Sequence, residues 1–404
     1  MPIAAVYPRS LREPAPTSRG IALFSAGFRP FFLLASIWAA LAVPVWLAAY
    51  VHGYSFRGSL PAMVWHAHEM VFGFGFAAVA GFLLTAIPNW TGRVPVRGAL
   101  LAGLALLWLA GRAAMLASDG LGPVATAIAD LAFPVSLIAI VARELLAGRN
   151  WRNLPMLAGL SLLLLGSSLV HLHALGLAYT AGTGNRLGVA TLLLLIALVG
   201  GRIVPAFTRN WLAKARPGVP PPAGWGAIDR IALLATVAGL AVWVLAPDSA
   251  IAPWLEIAAG IALGARLSRW RGLATLAEPL LLVLHVGYGW LALGLVLLGL
   301  DGLHPLVPAS VAMHALTVGA VGTMTLAVMT RASLGHSGRP LTADGATRAI
   351  YVLITIAALL RLVAPLFDAQ AVLVTSLAGL AWMAAFATFA IHYGRLLLRR
   401  PTAE

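Results

Sequence analysis

Twelve long apolar segments constrain this chain more than any other feature of its sequence. Crossing a hydrocarbon core of about 30 Å takes roughly 20 helical residues, and each segment is long enough. Hydrophobic residues make up 61% of the chain and charged residues only 10%, a composition that excludes an ordinary soluble protein. We therefore predict an all-α fold, a polytopic membrane helical bundle of about twelve transmembrane helices. The segments lie near residues 29–51, 62–88, 98–117, 121–146, 153–176, 187–207, 227–247, 249–268, 274–299, 308–330, 345–365 and 371–395.

The basic residues indicate the orientation, because Lys and Arg accumulate in short cytoplasmic loops. With the N-terminus inside, 22 of the 27 basic residues fall in the tails and cytoplasmic loops. The outer loops hold only Arg57 and Arg186, and three more arginines lie within spans: Arg112, Arg202 and Arg361. This alternation predicts that both termini are cytoplasmic.

The chain is predicted to form a single transmembrane domain over residues 1–404. Residues 1–28 and 396–404 are its cytoplasmic tails, and residues 29–395 hold the twelve spans. The Pro-rich loop at 215–226 is a candidate division between two halves of six spans, although the halves show no convincing repeat. The net charge of +14 is spread over short loops and tails, without a basic groove interleaved with aromatic residues. The expected partner is the lipid bilayer, not nucleic acid.

Six of the ten histidines are predicted to lie in the outer half or near the middle of the membrane. They are distributed over four helices: His66, His68, His171, His173, His285 and His314. Ionisable groups at membrane depth are costly and usually functional, although a single histidine is often a hydrogen-bonding member of a packed interface. The chain has no cysteine, so imidazole is the main available ligand, and it suits heme iron or copper.

Two histidine pairs, His66 with His68 and His171 with His173, have the same spacing of two residues. On a regular helix this spacing turns the side chains through about 200°, so neither pair can bind one ion through both members. Either each pair serves two sites on opposite sides of its helix, or one member is a ligand and the other packs or supports a ligand. Glu69, beside His68, is a candidate acceptor that orients a ligand imidazole.

Two further groups of residues in the spans have more than one interpretation. Three glycines have a spacing that favours close helix contact, and the same lack of side chains would admit a flat macrocycle: Gly73, Gly75 and Gly81. Three carboxylates within or at the ends of spans are candidates for proton relay: Asp130, Glu256 and Glu278.

Long sequence segments from the first span to the tenth resemble the NnrS family. They are GFRPFFLLA at 27–35, WHAHEMVFGFGFAAVAGFLLTAIPNWTG at 65–92, GRIVPAFTRNWL at 201–212, LHVGYGWLALGL at 284–295 and HALTVGAVGTMTLAVMTRASLGHSGRPL at 314–341. The resemblance covers essentially the whole chain. It implies a multi-pass protein of the bacterial inner, cytoplasmic membrane that carries heme and copper and is associated with the nitric oxide response and denitrification.

A second resemblance concerns the order His66, Met70 and Phe72, which is similar to the second helix of the catalytic subunit of heme-copper oxidases and nitric oxide reductases. In that helix the histidine is an axial heme ligand. The chain departs from the oxidases because no later helix has an adjacent His-His pair and a single histidine replaces the His-x-His of their tenth helix. The oxidase metal pair therefore does not carry over intact.

These considerations together give the predicted cofactors and their residues. Heme b is expected because no cysteine is available to tether the macrocycle, and its candidate binding residues are His66, His314 and His285. Copper is expected to bind histidines from more than one helix, and the candidates are His68, His171 and His173. Candidate supporting residues beside these ligands are Glu69, Tyr288 and Met70.

Three classes of function are compatible with the sequence. The first is a hemoprotein that binds or reduces nitric oxide in denitrification or the nitrosative-stress response, and the histidine cluster favours it. The second is a membrane transporter or channel for a metal, heme or a nitrogen species. The third is a sensor or assembly partner without turnover. No C-x-x-C-H heme-attachment motif is present, so electrons for reduction would come from quinol or another redox protein.

Overall fold

A computed structural model describes residues 21–53, 58–304 and 307–399. In these ranges the regular structure is helical, without strands, and the predicted all-α membrane bundle is confirmed. With π-helical turns included, there are twelve long helices: α1 Phe28–His52, α2 Ala62–Thr91, α3 Ala99–Leu116, α4 Ser118–Ala147, α5 Leu154–Ala174, α6 Ala181–Ala215, α7 Ala227–Leu245, α8 Ala252–Ser268, α9 Pro279–Leu303, α10 Ala309–His336, α11 Gly345–Val363 and α12 Ala371–Leu398.

Eleven of these helices are long and apolar enough to cross a membrane. The twelfth, α8, has 17 residues, at the short end of the roughly 17 to 25 residues that a span needs. The division between the seventh and eighth spans is confirmed, because α7 and α8 are separate helices. The predicted start of the sixth span was wrong by six residues, so Arg186 lies inside α6 and not in a loop.

The helices α1 and α12 meet at one end of the bundle. There the Arg29 guanidinium donates to the carbonyl oxygens of Leu397 and Arg399, at 3.0 and 2.7 Å, and satisfies acceptors that a helix C-terminus leaves open. We call this the terminal end. The opposite end is the histidine end, because α2 and α10 begin there and carry His66, His68 and His314 in their first two turns.

Three helices at the centre of the bundle, α2, α6 and α10, contact one another. Each contains a π-helical segment, Glu69–Gly75, Ile196–Gly200 or Ala315–Gly322. The remaining helices pack mainly against their neighbours in sequence, and α12 contacts α1. A π-helical segment thus recurs in every fourth helix. This spacing does not match a division of the chain into two halves of six spans at the Pro-rich loop.

Side chains from neighbouring helices satisfy carbonyl oxygens in and beside two of the π-helical segments. The Trp108 indole of α3 donates to the Gly73 carbonyl oxygen at 3.0 Å. The buried Arg266 guanidinium of α8 donates to the carbonyl oxygens of Ala197 and Gly201, at 3.0 and 3.4 Å. A widened turn exposes backbone acceptors that need partners where water is absent. These contacts show how the irregular turns are stabilised within the bundle.

Two glycines of span 2 permit close contact between helices. A Cβ at Gly75 would lie 2.9 Å from the Leu192 side chain of α6. A Cβ at Gly81 would lie 2.6 Å from the Phe32 ring of α1. The space beside both glycines is therefore filled by protein, which supports the packing interpretation over a macrocycle at these two positions.

The orientation across the membrane gives a first prediction. The chain lacks cysteine, so a single introduced cysteine reports its own position. Leu177, in the loop at the histidine end, is 71% exposed, and Val94, in a loop at the terminal end, is 72% exposed. We expect a membrane-impermeant maleimide to label Leu177→Cys in intact spheroplasts and Val94→Cys only after permeabilisation, because basic loops stay inside. The opposite labelling pattern would reverse the assigned orientation.

Candidate functional site

The first turns of α2 direct two histidines to opposite sides of the helix. The His66 ring stacks on Trp46 of α1, with ring centroids 4.4 Å apart. His68 is fully buried and faces α4 and α5, with its Nε2 3.2 Å from the Ser167 hydroxyl. Helix α2 therefore separates two sites at the histidine end.

On the α4 and α5 side, two imidazoles and a carboxylate converge. The Nε2 atoms of His68 and His171 lie 3.3 and 2.8 Å from the same Asp130 oxygen, Oδ2. These three ligand atoms all lie within 4.8 Å of one another, and all three residues are buried. We call His68, Asp130 and His171 the metal cluster, because imidazole and carboxylate at this separation are a donor set for a divalent ion.

Buried ion pairs hold the metal cluster in place. Arg112 of α3 donates through Nη1 to Glu69 Oε2 at 2.6 Å, and its Nη2 contacts Asp130 Oδ1. Gly73 makes room for this contact, since a Cβ there would lie 2.6 Å from Arg112 Nη1. One guanidinium faces two carboxylates, which leaves one negative charge in the cluster for a cation or a proton to balance.

Glu69 also orients the His68 ring. Its Oε1 lies 3.0 Å from His68 Nδ1, so a neutral His68 carries its proton on Nδ1. The hydrogen-bond partner thereby assigns the tautomer, and the lone pair of Nε2 points towards Asp130 and Ser167. Carboxylate support of this kind is common behind metal-binding histidines.

The structure separates the second histidine pair. His171 is buried in the metal cluster, whereas His173 is half-buried and lies beside the fully exposed Tyr179, with ring centroids 6.1 Å apart. Asp130 occupies the position in the cluster for which His173 was a candidate. The sequence signal for Asp130 was its place within a span, which pointed only to proton relay.

On the α1 side of α2, a second group surrounds Arg361 of α11. The Arg361 guanidinium donates to Thr375 Oγ1 and His314 Nε2, both at 2.9 Å. His314 Nδ1 lies 2.6 Å from the Ser310 carbonyl oxygen, so Nδ1 carries the proton and Nε2 accepts. His66 lies at the same end of the bundle, on the α1 side of α2. We call His66, His314, Arg361 and Thr375 the Arg361 site.

One family model, described as NnrS protein, matches residues 22–400. The chain belongs to the NnrS protein family. The match takes in all twelve helices, so the resemblance carried by the sequence segments is confirmed. No curated protein sequence matches the chain.

Two candidate residues of this NnrS-family protein lie away from both sites. His285 and Tyr288 are near the start of α9, close to the terminal end. His285 Nδ1 and Nε2 lie 3.0 and 3.4 Å from the carbonyl oxygens of Leu281 and Trp270. The Tyr288 hydroxyl accepts a hydrogen bond from Arg266 at 2.9 Å. The structure therefore does not bring these two residues to His66 or His314.

The remaining candidate, Met70, lies in the π-helical segment of α2. It is half-buried and packs against the hydrophobic core. In the same segment, the backbone of Gly73 lies beside the side chains of Arg112, Trp38 and Glu69. The first π-helical segment of this NnrS-family protein therefore contributes Glu69 to the buried ion pairs and makes room for Arg112 at Gly73.

The ion pairs of the metal cluster give a second prediction. Arg112→Met leaves Glu69 and Asp130 buried without their counter-ion, and loss of one partner from a buried pair costs about 3 to 5 kcal/mol. We expect a clear decrease in thermal stability in detergent, partly restored by adding Glu69→Gln. Arg143→Met is the matched control, because Arg143 is 58% exposed in its pair with Glu144 and exposed pairs contribute about 0 to 1 kcal/mol. Equal losses for the Arg112 and Arg143 variants would contradict this assignment.

Proposed function

We propose that this protein is a heme- and copper-binding protein of the bacterial inner membrane that binds or reduces nitric oxide. The observation that carries the proposal is the convergence of His68 Nε2, His171 Nε2 and Asp130 Oδ2 within a buried cluster. Family membership supports it, since the NnrS resemblance implies heme, copper and a role in the nitric oxide response. The three donors come from α2, α4 and α5, so the assembled bundle is needed to present them.

The metal cluster fits a copper ion in donor type and in charge. Imidazole is a common copper ligand, and the set of two imidazoles and one carboxylate also suits iron or zinc. The negative charge that Glu69 and Asp130 leave beyond Arg112 favours a bound cation over an empty site. Copper would therefore be held by His68, His171 and Asp130, with Glu69 fixing the His68 ring.

The Arg361 site fits a heme through its two histidines. His66 Nδ1 is buried without a hydrogen-bond partner in the part of the chain that the structure describes, so this nitrogen is available to bind a ligand. Among the described residues, the lone pair of His314 Nε2 has the Arg361 guanidinium as its hydrogen-bond partner. His66 and His314 would hold the heme, which is b-type because no cysteine is present.

Bound heme and copper would supply the one-electron redox chemistry on which nitric oxide binding and reduction depend. The protein orients the ligand imidazoles through Glu69 and the Ser310 carbonyl group, and it keeps water from the metal cluster with aromatic side chains. The side chains packed beside the cluster are Arg112, Asp130, Ser167 and five apolar residues: Phe72, Phe76, Trp108, Phe133 and Pro134. Electrons for reduction would come from quinol or a redox protein.

The heme assignment gives a third prediction. Purified protein should show the Soret band of a b-type heme, and His66→Ala and His314→Ala should each abolish or shift it, because an axial imidazole is removed from the iron. His68→Ala, on the opposite side of α2, should keep that band. Optical spectra of the three variants side by side test this. Should His68→Ala lose the heme while His66→Ala keeps it, the two faces of α2 have been assigned the wrong way round.

The copper assignment gives a fourth prediction. His68→Ala, His171→Ala and Asp130→Asn should each lower copper content at least tenfold with heme retained, because each removes a ligand or its charge. His173→Ala should retain wild-type copper and is the matched control, since His173 is the half-buried partner of His171 on the same helix. Elemental analysis of purified protein measures the content. Wild-type copper in all three ligand variants would rule out the metal cluster.

Turnover separates an enzyme from a binding protein. Nitric oxide consumption by the purified protein, supplied with a quinol donor, is the measurement. Consumption that depends on His66 and His171 supports reduction. Spectral shifts with nitric oxide in the absence of consumption support binding alone.

A further inference from the structure

Arg361 lacks the carboxylate partner that Arg112 and Arg266 have in the bundle interior. Arg112 pairs with Glu69, and Arg266 pairs with Asp229 at 2.9 Å. Across residues 21–53, 58–304 and 307–399, no carboxylate oxygen lies within the 4.0 Å ion-pair distance of the Arg361 guanidinium. Its hydrogen bonds go to Thr375 and His314, which are neutral acceptors.

An unpaired guanidinium in this position is costly. Arg361 lies in the last turn of α11, where it is half-buried and its charge is partly removed from water. An arginine cannot lower this cost by losing its proton, because its pKa stays far above the physiological range. A charged side chain at membrane depth usually pairs with an opposite charge or marks a binding site. A bound anion would supply the missing charge.

The groups around Arg361 are suited to oxygen anions. A planar guanidinium with several N–H donors matches the oxygens of carboxylates and small oxyanions. Thr375 adds a hydroxyl that fixes Arg361 Nη1. His66, on the α1 side of α2 at the same end of the bundle, contributes a buried Nδ1 without a partner among the described residues. Two independent features, an unpaired cation and an unpaired ring nitrogen, thus occur at the histidine end of the bundle.

We propose that Arg361 binds an oxygen anion in the Arg361 site, either a carboxylate of a bound prosthetic group or a small free oxyanion of the nitrite type. The hydrogen bond between Arg361 and His314 then couples anion binding by Arg361 to ligand binding by His314. Any ligand that takes the lone pair of His314 Nε2 releases Arg361 Nη2 to the anion. The carboxylate source rests on the proposed heme, whereas the free-anion source does not.

The experiment compares Arg361→Gln with Arg186→Gln in purified protein. Arg186 is a matched control because it is also half-buried at the histidine end, and its hydrogen bond within the described residues goes to Thr183 and not to a histidine. Isothermal titration calorimetry with sodium nitrite measures binding of a free oxyanion. The heme content of the same preparations, from their pyridine hemochrome spectra, measures the contribution of a prosthetic-group carboxylate.

Each anion source gives its own result. For a free oxyanion, nitrite binds the wild type, Arg361→Gln weakens binding about tenfold or more through loss of a charge-assisted contact, and heme content is unchanged. For a prosthetic-group carboxylate, nitrite does not bind, and Arg361→Gln retains about half of the wild-type heme or less. In both cases Arg186→Gln behaves like the wild type.

Two conservative variants keep the inference testable if Arg361→Gln does not fold. Arg361→Lys retains the charge without the planar fork, and Thr375→Val removes only the hydroxyl that holds Arg361. Both should show the same change as Arg361→Gln in a weaker form. Wild-type nitrite affinity and wild-type heme content in all folded variants would overturn the inference.

The wild-type protein distinguishes this inference from the proposed function. A wild type that lacks heme but binds nitrite through Arg361 contradicts the heme assignment and supports the anion site. A wild type that has heme, binds no nitrite and retains its heme in Arg361→Gln contradicts the anion site alone. A wild type with neither heme nor nitrite binding contradicts both.

Discussion

The buried contact of Arg112 with Glu69 and Asp130 is the interaction on which the histidine end of the bundle depends. It joins α2, α3 and α4 at a depth where an isolated carboxylate would be strongly destabilising. Because Glu69 and Asp130 are fixed by the same guanidinium, His68 and His171 meet at one Asp130 oxygen. The ion pairs therefore do more than stabilise the fold, since they set the positions of the candidate metal ligands.

The central helices show how a membrane protein accommodates irregular backbone. The segments Glu69–Gly75, Ile196–Gly200 and Ala315–Gly322 depart from α-helical geometry, and π-helical turns are frequent at functional sites. In hydrocarbon an exposed carbonyl oxygen has no water to bond to, so a partner must come from protein. Trp108 and Arg266 provide such partners for α2 and α6. In α2 the irregular turn starts at Glu69, beside the metal cluster.

The two sites on either side of α2 have opposite electrostatic character. The metal cluster contains more negative than positive charge and favours a cation. The Arg361 site contains a cation without a carboxylate partner in the described chain and favours an anion. His66 and His68 are two residues apart, so these contrasting environments are separated by little more than the width of one helix. The arrangement therefore suits a cation on one side of α2 and an anion on the other.

The sequence by itself determined the helical membrane fold, the number of long helices and the opposite directions of His66 and His68. These features depend on local composition and on helical periodicity, which neighbouring residues specify directly. Only the tertiary structure decided that Asp130 and not His173 joins His68 and His171, and that His285 lies towards the other end of the bundle. These features depend on which helix faces meet, and the different faces of an apolar helix have similar amino-acid compositions. Contacts between helices distant along the chain therefore determined which candidate ligands meet.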